Sequence, residues 1–182
     1  MRYSPDGSKL AVGSHDQHIY IYDANSYALL SKIWKHSSYL TALDWSNDST
    51  ALHSTCGSYE LLYFKLEGDS IEQVPSGVED YKNELWASFS THFGWPVQGI
   101  FGGVIDYTHV NRVDRSPASE YFAVGNDWGL VEVFGNPNKE GSKSKGFRGH
   151  SEHVTNVKWS TDGKYLFSAG GYDQCIMQWK KV

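Results

Sequence analysis

Four stretches of this sequence share one layout: YSPDGSKLAVGSHDQHIYIYD from Tyr3, WSNDSTALHSTCGSYELLYFK from Trp45, RSPASEYFAVGNDWGLVEVFG from Arg115, and WSTDGKYLFSAGGYDQCIMQWK from Trp159. In each, a serine (Ser4, Ser46, Ser116, Ser160) closes an apolar run. A polar turn, a short apolar strand, a second turn and an alternating strand follow. The serines stand 42, 70 and 44 residues apart. Two intervals fit repeats of about 40–45 residues that each build one small sheet, and the third is one period plus about 26 inserted residues. A unit of this size cannot bury its faces alone, so the chain must stack one repeat against the next.

The repeats read as β-structure. Side chains alternate in Ile19-Tyr20-Ile21-Tyr22, in Leu130-Val131-Glu132-Val133 and in Ile176-Met177-Gln178-Trp179, which is the period of a strand. Aromatics reach 15%, and 18 Gly stand against 5 Pro, a composition suited to many short strands with tight turns. No stretch of twelve or more residues keeps a helical period, so the chain is predicted to be β throughout. The fold expected is all-β: four-stranded antiparallel blades of a β-propeller, about three and a half of them, at 1–34, 35–92, 93–148 and 149–182. The acidic segment Glu67–Asn83 is expected to be a solvated excursion between strands. A partial ring leaves raw edges, so self-association through blade faces is a further expectation.

A second match narrows the repeat type. His36-Ser-Ser-Tyr-Leu-Thr-Ala-Leu-Asp-Trp45 aligns with His150-Ser-Glu-His-Val-Thr-Asn-Val-Lys-Trp159 at a constant offset of 114 residues. The second copy opens with Gly149-His150, the dipeptide that begins many WD40 repeats. In this last repeat His150, Ser168, Asp173 and Trp179 occupy the places of the buried hydrogen-bonded set of such repeats. The other repeats keep parts of it: Asp16 in the first, His36 and Ser54 in the second with Ser58 at the Asp place and Phe64 at the Trp place, and Asp127 in the third. These residues are read as structural.

Chemistry of other kinds finds little support in the residues. Sixteen Lys and Arg against 21 Asp and Glu give a net charge of −5, the wrong sign for a nucleic-acid or membrane-surface binder. Cys56 and Cys175 lack zinc spacing and are read as two buried, reduced thiols. His15 and His18, like His150 and His153, have no third ligand at metal spacing, so no metal or cofactor is expected. His109 and Asp106 form no recognisable acid–base pair, and no serine sits in a nucleophile elbow. The N-terminal MRYSPDGSK turns polar within four residues and has no signal-peptide core, which points to a cytoplasmic protein. A non-catalytic scaffold is the expected class.

That leaves surface. Turns between the second and third strands of each blade, with the loops entering the blades, carry Tyr39, Tyr59, Trp128, His153 and Tyr172. Aromatics on rigid turns can anchor a protein partner because they bury large area at low entropy cost. Lys139, Lys143, Lys145 and Arg148 form a basic run in the Gly/Ser-rich stretch NPNKEGSKSKGFRG. It reads either as a solvated connection or as a weak, salt-sensitive contact with an acidic polypeptide.

Several of these residues resemble the echinoderm microtubule-associated-protein-like family, at the C-terminal end of its second propeller. The carriers are Arg2-Tyr-Ser-Pro-Asp-Gly, Ala11-Val-Gly-Ser-His-Asp16 with Ile19-Tyr-Ile-Tyr-Asp23, and Glu84-Leu-Trp86-Ala-Ser-Phe. Gly94-Trp-Pro-Val-Gln-Gly-Ile-Phe101 and Val110-Asn-Arg-Val-Asp-Arg-Ser116 are the most specific, and the last repeat closes the match. Where the family places an acidic loop after this segment, Gly102–His109 is more apolar. The resemblance implies a scaffold that binds tubulin or microtubules in the cytoskeleton. The alternative from the residues alone is a WD40 interaction module that takes a peptide of another partner.

Overall fold

A computed structural model describes residues 1–68, 70–101 and 109–181. Two compact units are defined by their internal packing, Met1–Thr91 and His92–Val182. Each holds two antiparallel sheets.

In the first unit β1 (Arg2–Tyr3), β2 (Lys9–Gly13), β3 (His18–Asp23) and β4 (Leu29–Trp34) form one meander in sequence order. The second meander is β5 (Leu40–Trp45), β6 (Ala51–Cys56), β7 (Leu61–Glu67) and β8 (Ser70–Gln73), followed by α1 (Gly77–Asp80). In the second unit β9 (Val110–Arg115), β10 (Tyr121–Asn126), β11 (Leu130–Gly135) and β12 (Lys145–Arg148) make a four-stranded sheet, while β13 (Val154–Trp159), β14 (Tyr165–Gly170) and β15 (Ile176–Lys180) make a three-stranded one. Four small meanders are the all-β, blade-type fold.

Three expectations need correction here. The acidic excursion supplies β8, whose alternation places Ile71 against the core while Ser70 and Glu72 face solvent. It also contains α1, a single helical turn in a chain expected to be strand throughout. Likewise Lys145 and Arg148 of the basic run lie on β12, paired with Val133 and Leu130, and are not in a loop. Asp69 and Gly102–Thr108, which include most of the apolar loop and Asp106, lie outside the described residues.

The repeated serine has a local cause. Ser4 Oγ accepts from the Lys9 N–H at 2.9 Å, and Ser46, Ser116 and Ser160 accept equivalently from Ala51, Tyr121 and Tyr165 at 2.8, 3.0 and 2.9 Å. In three blades the hydroxyl donates to an Asp two residues on, at Asp6, Asp48 and Asp162. Each first turn is thus closed by one side chain, as Ser/Asp turn chemistry allows.

Packing between neighbouring blades is apolar with a charged edge. Ala11, Ile19, Ile21 and Ile33 of the first blade join Leu43, Trp45, Leu52, Phe64 and Leu66 of the second in one core. Ala123 and Val131 join Val154, Val157, Trp159 and Leu166 in the other unit. Burying each large aliphatic or aromatic side chain contributes about 1.5–3 kcal/mol. Gly13 and Gly125, at matching blade positions, leave room for this approach: a Cβ would lie 2.9 Å from Leu40 Cβ and 2.7 Å from Val154 Cγ1. Two residues before each repeat serine stand Arg2, Asp44, Asp114 and Lys158. Arg2 Nε lies 3.2 Å from Asp44 Oδ1, and Lys158 Nζ pairs with Asp114, so an ion pair at this repeat position joins the blades in each unit.

The family-specific Gly94–Phe101 segment is irregular but anchored. Val97, Ile100 and Phe101 are buried, Gly99 N donates to Asn138 Oδ1 at 2.8 Å, and Asn138 N donates to Pro96 O at 2.9 Å. A Cβ on Gly99 would sit 2.1 Å from Lys139 O.

Nearby, His92 has a shielded Nε2 with no hydrogen-bond partner among the described residues. Burial, with the Arg112 charge beside it, holds this imidazole down at about 4. The unfolded chain takes up that proton near pH 6.5. The contribution to stability is therefore complete above pH 6.5 and is lost as pH falls toward 4, by about 3 kcal/mol over the window. His36, lowered by burial against the opposing pull of Glu60, acts in the same direction. Urea midpoints are expected to fall between pH 7 and pH 4.5, and His92→Leu should flatten that slope. Equal slopes for the two proteins would remove this explanation.

Candidate functional site

The buried polar set of the last blade is a connected chain of hydrogen bonds. Trp179 Nε1 donates to Ser168 Oγ at 2.8 Å, Ser168 donates to His150 Nε2 at 2.7 Å, and His150 Nδ1 donates to Asp173 Oδ2 at 2.8 Å. Backbone N–H groups of Cys175 and Ser151 reach the same carboxylate at 3.0 and 3.3 Å. The Cys175 amide leads in holding Asp173 below the usual carboxylate range, outweighing burial, with His150 adding to it. His150 and Ser168 are buried, so the trio of Ser, His and Asp offers no surface to a substrate. Its work is to tie the blade entry to the β14–β15 turn.

The second blade builds the same link differently. His36 Nε2 lies 2.7 Å from Ser54 Oγ, but Ser58 does not take the Asp place. Glu60 does: its Oε2 accepts from Ser37 N at 2.9 Å, its Oε1 from Ser37 Oγ at 2.8 Å, and Cys56 Sγ donates to Oε2 at 3.1 Å. The Ser37 amide is the main cause that holds Glu60 down at about 2, against the opposing effect of burial. The turn here spans four residues between β6 and β7, against five between β14 and β15. A carboxylate placed later in a shorter turn needs the longer side chain.

Asp16 and Asp127 do not join such a set. Asp16 is exposed and accepts from Tyr20 Oη at 2.5 Å and His18 N at 3.2 Å. Asp127 is exposed and accepts from Asn111 Nδ2 at 2.9 Å. Asp16 serves its own turn, and Asp127 links its turn to β9. The thiols also differ from expectation: Cys56 is buried, but Cys175 is exposed and donates to Asp173 O at 3.1 Å.

One comparison measures what the chains are worth. Ser168→Ala leaves both His150 Nε2 and Trp179 Nε1 without a partner and is expected to cost about 2–3 kcal/mol, whereas Ser54→Ala strands His36 alone and should cost about 1–2 kcal/mol. Chemical denaturation of the two variants checks the order, and a larger loss for Ser54→Ala contradicts it.

The exposed aromatics follow the repeat as well. Trp128 and Tyr172 stand at matching positions of the β10–β11 and β14–β15 turns and are 50% and 82% exposed. Each is backed by an imidazole from the loop entering its own blade: His109 lies 4.6 Å from Trp128 and His153 lies 5.5 Å from Tyr172, centroid to centroid. The turn and the loop are joined by main chain, Asp127 N to His109 O and Gly171 N to His153 O, both 3.0 Å. Gly171 packs under the His153 ring so closely that a Cβ would lie 2.1 Å from Nε2. In the first unit Tyr39 occupies the place of His153, stacked on His15 at 4.8 Å and held by Gly57 N donating to Tyr39 O at 2.9 Å. Tyr59 is exposed on the β6–β7 turn. Nothing local marks His109 as the support of Trp128; only register across the repeats reveals it.

This fold and surface define the class first: WD-type β-propeller blades that display aromatics on braced turns. The β-propeller domain of Cps50 (Swd1) from Myceliophteria thermophila superposes with a TM-score of 0.67 at 14% identity, covering 100% of this chain and 65% of that one. Residues 1–181 match the model of the echinoderm microtubule-associated protein second beta-propeller, and the chain belongs to that family. Among its relatives, the ciliary WD repeat-containing protein ctxp80 of Euplotoides octocarinatus is 45% identical over 181 residues, which is all of this chain and 25% of that protein. The 77 kDa echinoderm microtubule-associated protein of Strongylocentrotus purpuratus is 41% identical over 187 residues, and human echinoderm microtubule-associated protein-like 1 is 40% identical, with 27% and 23% of those proteins covered. The chain thus spans about a quarter of the length of these relatives. No helix among the described residues is long and apolar enough to cross a membrane.

Proposed function

We propose that this chain is a non-catalytic scaffold that binds tubulin or microtubules through its blade turns and so associates with the cytoskeleton. The observation that carries the reading is the repeated pair of exposed aromatics, Trp128 and Tyr172, each backed by a histidine ring. Large rings held in place lose little entropy when a protein surface covers them. Names of the relatives, which include microtubule-associated proteins, support tubulin as the protein covered. Lys139, Lys143, Lys145 and Arg148 add a basic stretch suited to an acidic polypeptide.

The test is co-sedimentation with polymerised tubulin, beside capture of soluble tubulin, at rising salt. The chain is expected to be retained and released partly by salt. The double variant Trp128→Ala, Tyr172→Ala should lose at least about tenfold in affinity, equivalent to roughly 1.4 kcal/mol, without a change in melting temperature. Absence of retention by the unaltered chain in both formats overturns tubulin as the partner, and retention of a peptide from another protein would then define a WD40 interaction module of a different target.

A further inference from the structure

The second blade carries a cluster that the fourth lacks. A ring nitrogen of His36, Cys56 Sγ and a Glu60 carboxylate oxygen all lie within 4.8 Å of one another. Nδ1 to Oε2 measures 3.4 Å and Sγ to Oε2 measures 3.1 Å. A tetrahedral zinc ion with bonds of about 2.0–2.3 Å holds its ligand atoms roughly 3.3–3.6 Å apart. The two separations measured from Glu60 Oε2 are already close to two edges of that figure.

The histidine supplies the independent sign. Its side chain is 1% exposed, and Nδ1 has no hydrogen-bond partner among the described residues, the approach to Glu60 lacking the alignment of one. A shielded, unsatisfied ring nitrogen is costly to leave bare. In the fourth blade, Trp179 donates to Ser168, whose hydroxyl donates to His150 Nε2, and Nδ1–H donates to Asp173. Here Phe64 replaces that tryptophan, so no indole reaches Ser54. Ser54 Oγ can accept from His36 Nε2–H, which leaves the Nδ1 lone pair pointing at Cys56 and Glu60. A ligating histidine whose other ring nitrogen is held by a hydrogen bond is the usual arrangement around zinc. The place of Cys56 is filled in the fourth blade by Gly170, so that blade cannot build the site.

We propose that His36 Nδ1, Cys56 Sγ and Glu60 Oε2 bind one zinc-type divalent cation, with solvent in the fourth position. A nitrogen, a sulfur and one carboxylate oxygen suit zinc and exclude magnesium and calcium, which take oxygen cages. On binding, the Cys56 thiol gives its proton to solvent and the S–H hydrogen bond to Glu60 is replaced by a sulfur–metal bond. Glu60 keeps Oε1 for Ser37 Oγ, and its side chain, 35% exposed, opens the way in. The ion would reinforce the link that Glu60 already makes between the loop after β4 and the β6–β7 turn.

The experiment adds cobalt(II), and separately zinc, to the full chain freed of metal by chelator, then measures bound metal after dialysis, thiolate-to-cobalt charge-transfer absorption and the melting temperature. One metal per chain, a thiolate band that zinc abolishes, and a raised melting temperature are expected, with no response to magnesium. Cys175→Ser should leave all three intact, because that exposed thiol belongs to the fourth blade and is not one of the three ligands. Cys56→Ser should lose the band and weaken binding about tenfold or more, and Glu60→Gln should weaken it comparably. The glutamate variant decides the matter if Cys56→Ser does not fold. Failure of the unaltered chain to take up stoichiometric metal overturns the proposal, as does binding that survives both site variants or disappears with Cys175→Ser.

Discussion

Asp44→Ala should destabilise the first unit by about 3–5 kcal/mol, because it deletes a buried charge around which two blades and the chain beyond them are arranged. Asp44 is fully buried. Its Oδ2 accepts from Ser90 N at 2.6 Å, Ser90 Oγ at 3.0 Å and His53 Nε2 at 3.2 Å, while Oδ1 accepts from Ser88 Oγ at 2.5 Å and faces Arg2 Nε at 3.2 Å. Burial alone would raise its pKa, but the His53 hydrogen bond, the charges of His53 and Arg2 and the Ser88 hydroxyl together keep it ionised, well below the usual carboxylate range. Truncation leaves several donors facing an empty, dry space. A fall in melting temperature of roughly 10–20 °C is the calorimetric expectation. Asp44→Asn keeps the shape and part of the bonding and should fall between. In the other unit, Lys158→Ala should cost about 1 kcal/mol or less, since the lysine is more than half exposed while its partner Asp114 keeps the Trp159 N–H at 2.8 Å. A loss under about 1 kcal/mol for Asp44→Ala would mean the buried network is dispensable.

The second large effect is expected at Trp45. It is 1% exposed and lies in the core shared by the first two blades, with its indole Nε1 donating to Arg2 O at 3.1 Å. Trp45→Ala should cost about 3–5 kcal/mol through the cavity it leaves. Trp45→Phe retains most of the packing and should lose about 1 kcal/mol for the missing hydrogen bond. Trp159 holds the matching position of the fourth blade, yet its Nε1 is buried with no hydrogen-bond partner among the described residues. Trp159→Phe should therefore be neutral or slightly stabilising. Urea denaturation of the two phenylalanine variants provides the check, and equal losses at both sites would contradict the asymmetry.

What could be read from the sequence was what is local and repeated. The serine of each repeat announces a turn that closes within five residues, and the alternating side chains announce strands such as β3, whose Ile19 and Ile21 are buried while Tyr20 and Tyr22 are partly exposed. The His150, Ser168, Asp173 and Trp179 set was legible because all four members occur at their places in one repeat. Glu60 escaped because turn length, not position, decides which carboxylate reaches the histidine. β8 and β12 escaped because SIEQ and KGFR are short, polar edge segments with little apolar alternation to mark them. The Arg2–Asp44 and Asp114–Lys158 pairs span more than 40 residues, and no propensity reports a partner at that distance. Their charges do sit at one position of the repeat, so aligning the repeats for charge as well as for apolar residues would have exposed them. The same alignment places Trp128 with Tyr172 and shows which exposed rings are braced.

Buried polar sets hold the blades together, and the exposed aromatics are the proposed partner surface. The most direct test is the affinity for soluble tubulin, measured below each protein's melting range for the unaltered chain, the Trp128→Ala, Tyr172→Ala variant and Ser168→Ala. The account predicts weakened binding with an unchanged melting temperature for the first variant, and a lowered melting temperature with unchanged affinity for the second. Undiminished binding by the aromatic variant, or loss of affinity in folded Ser168→Ala alone, would contradict it.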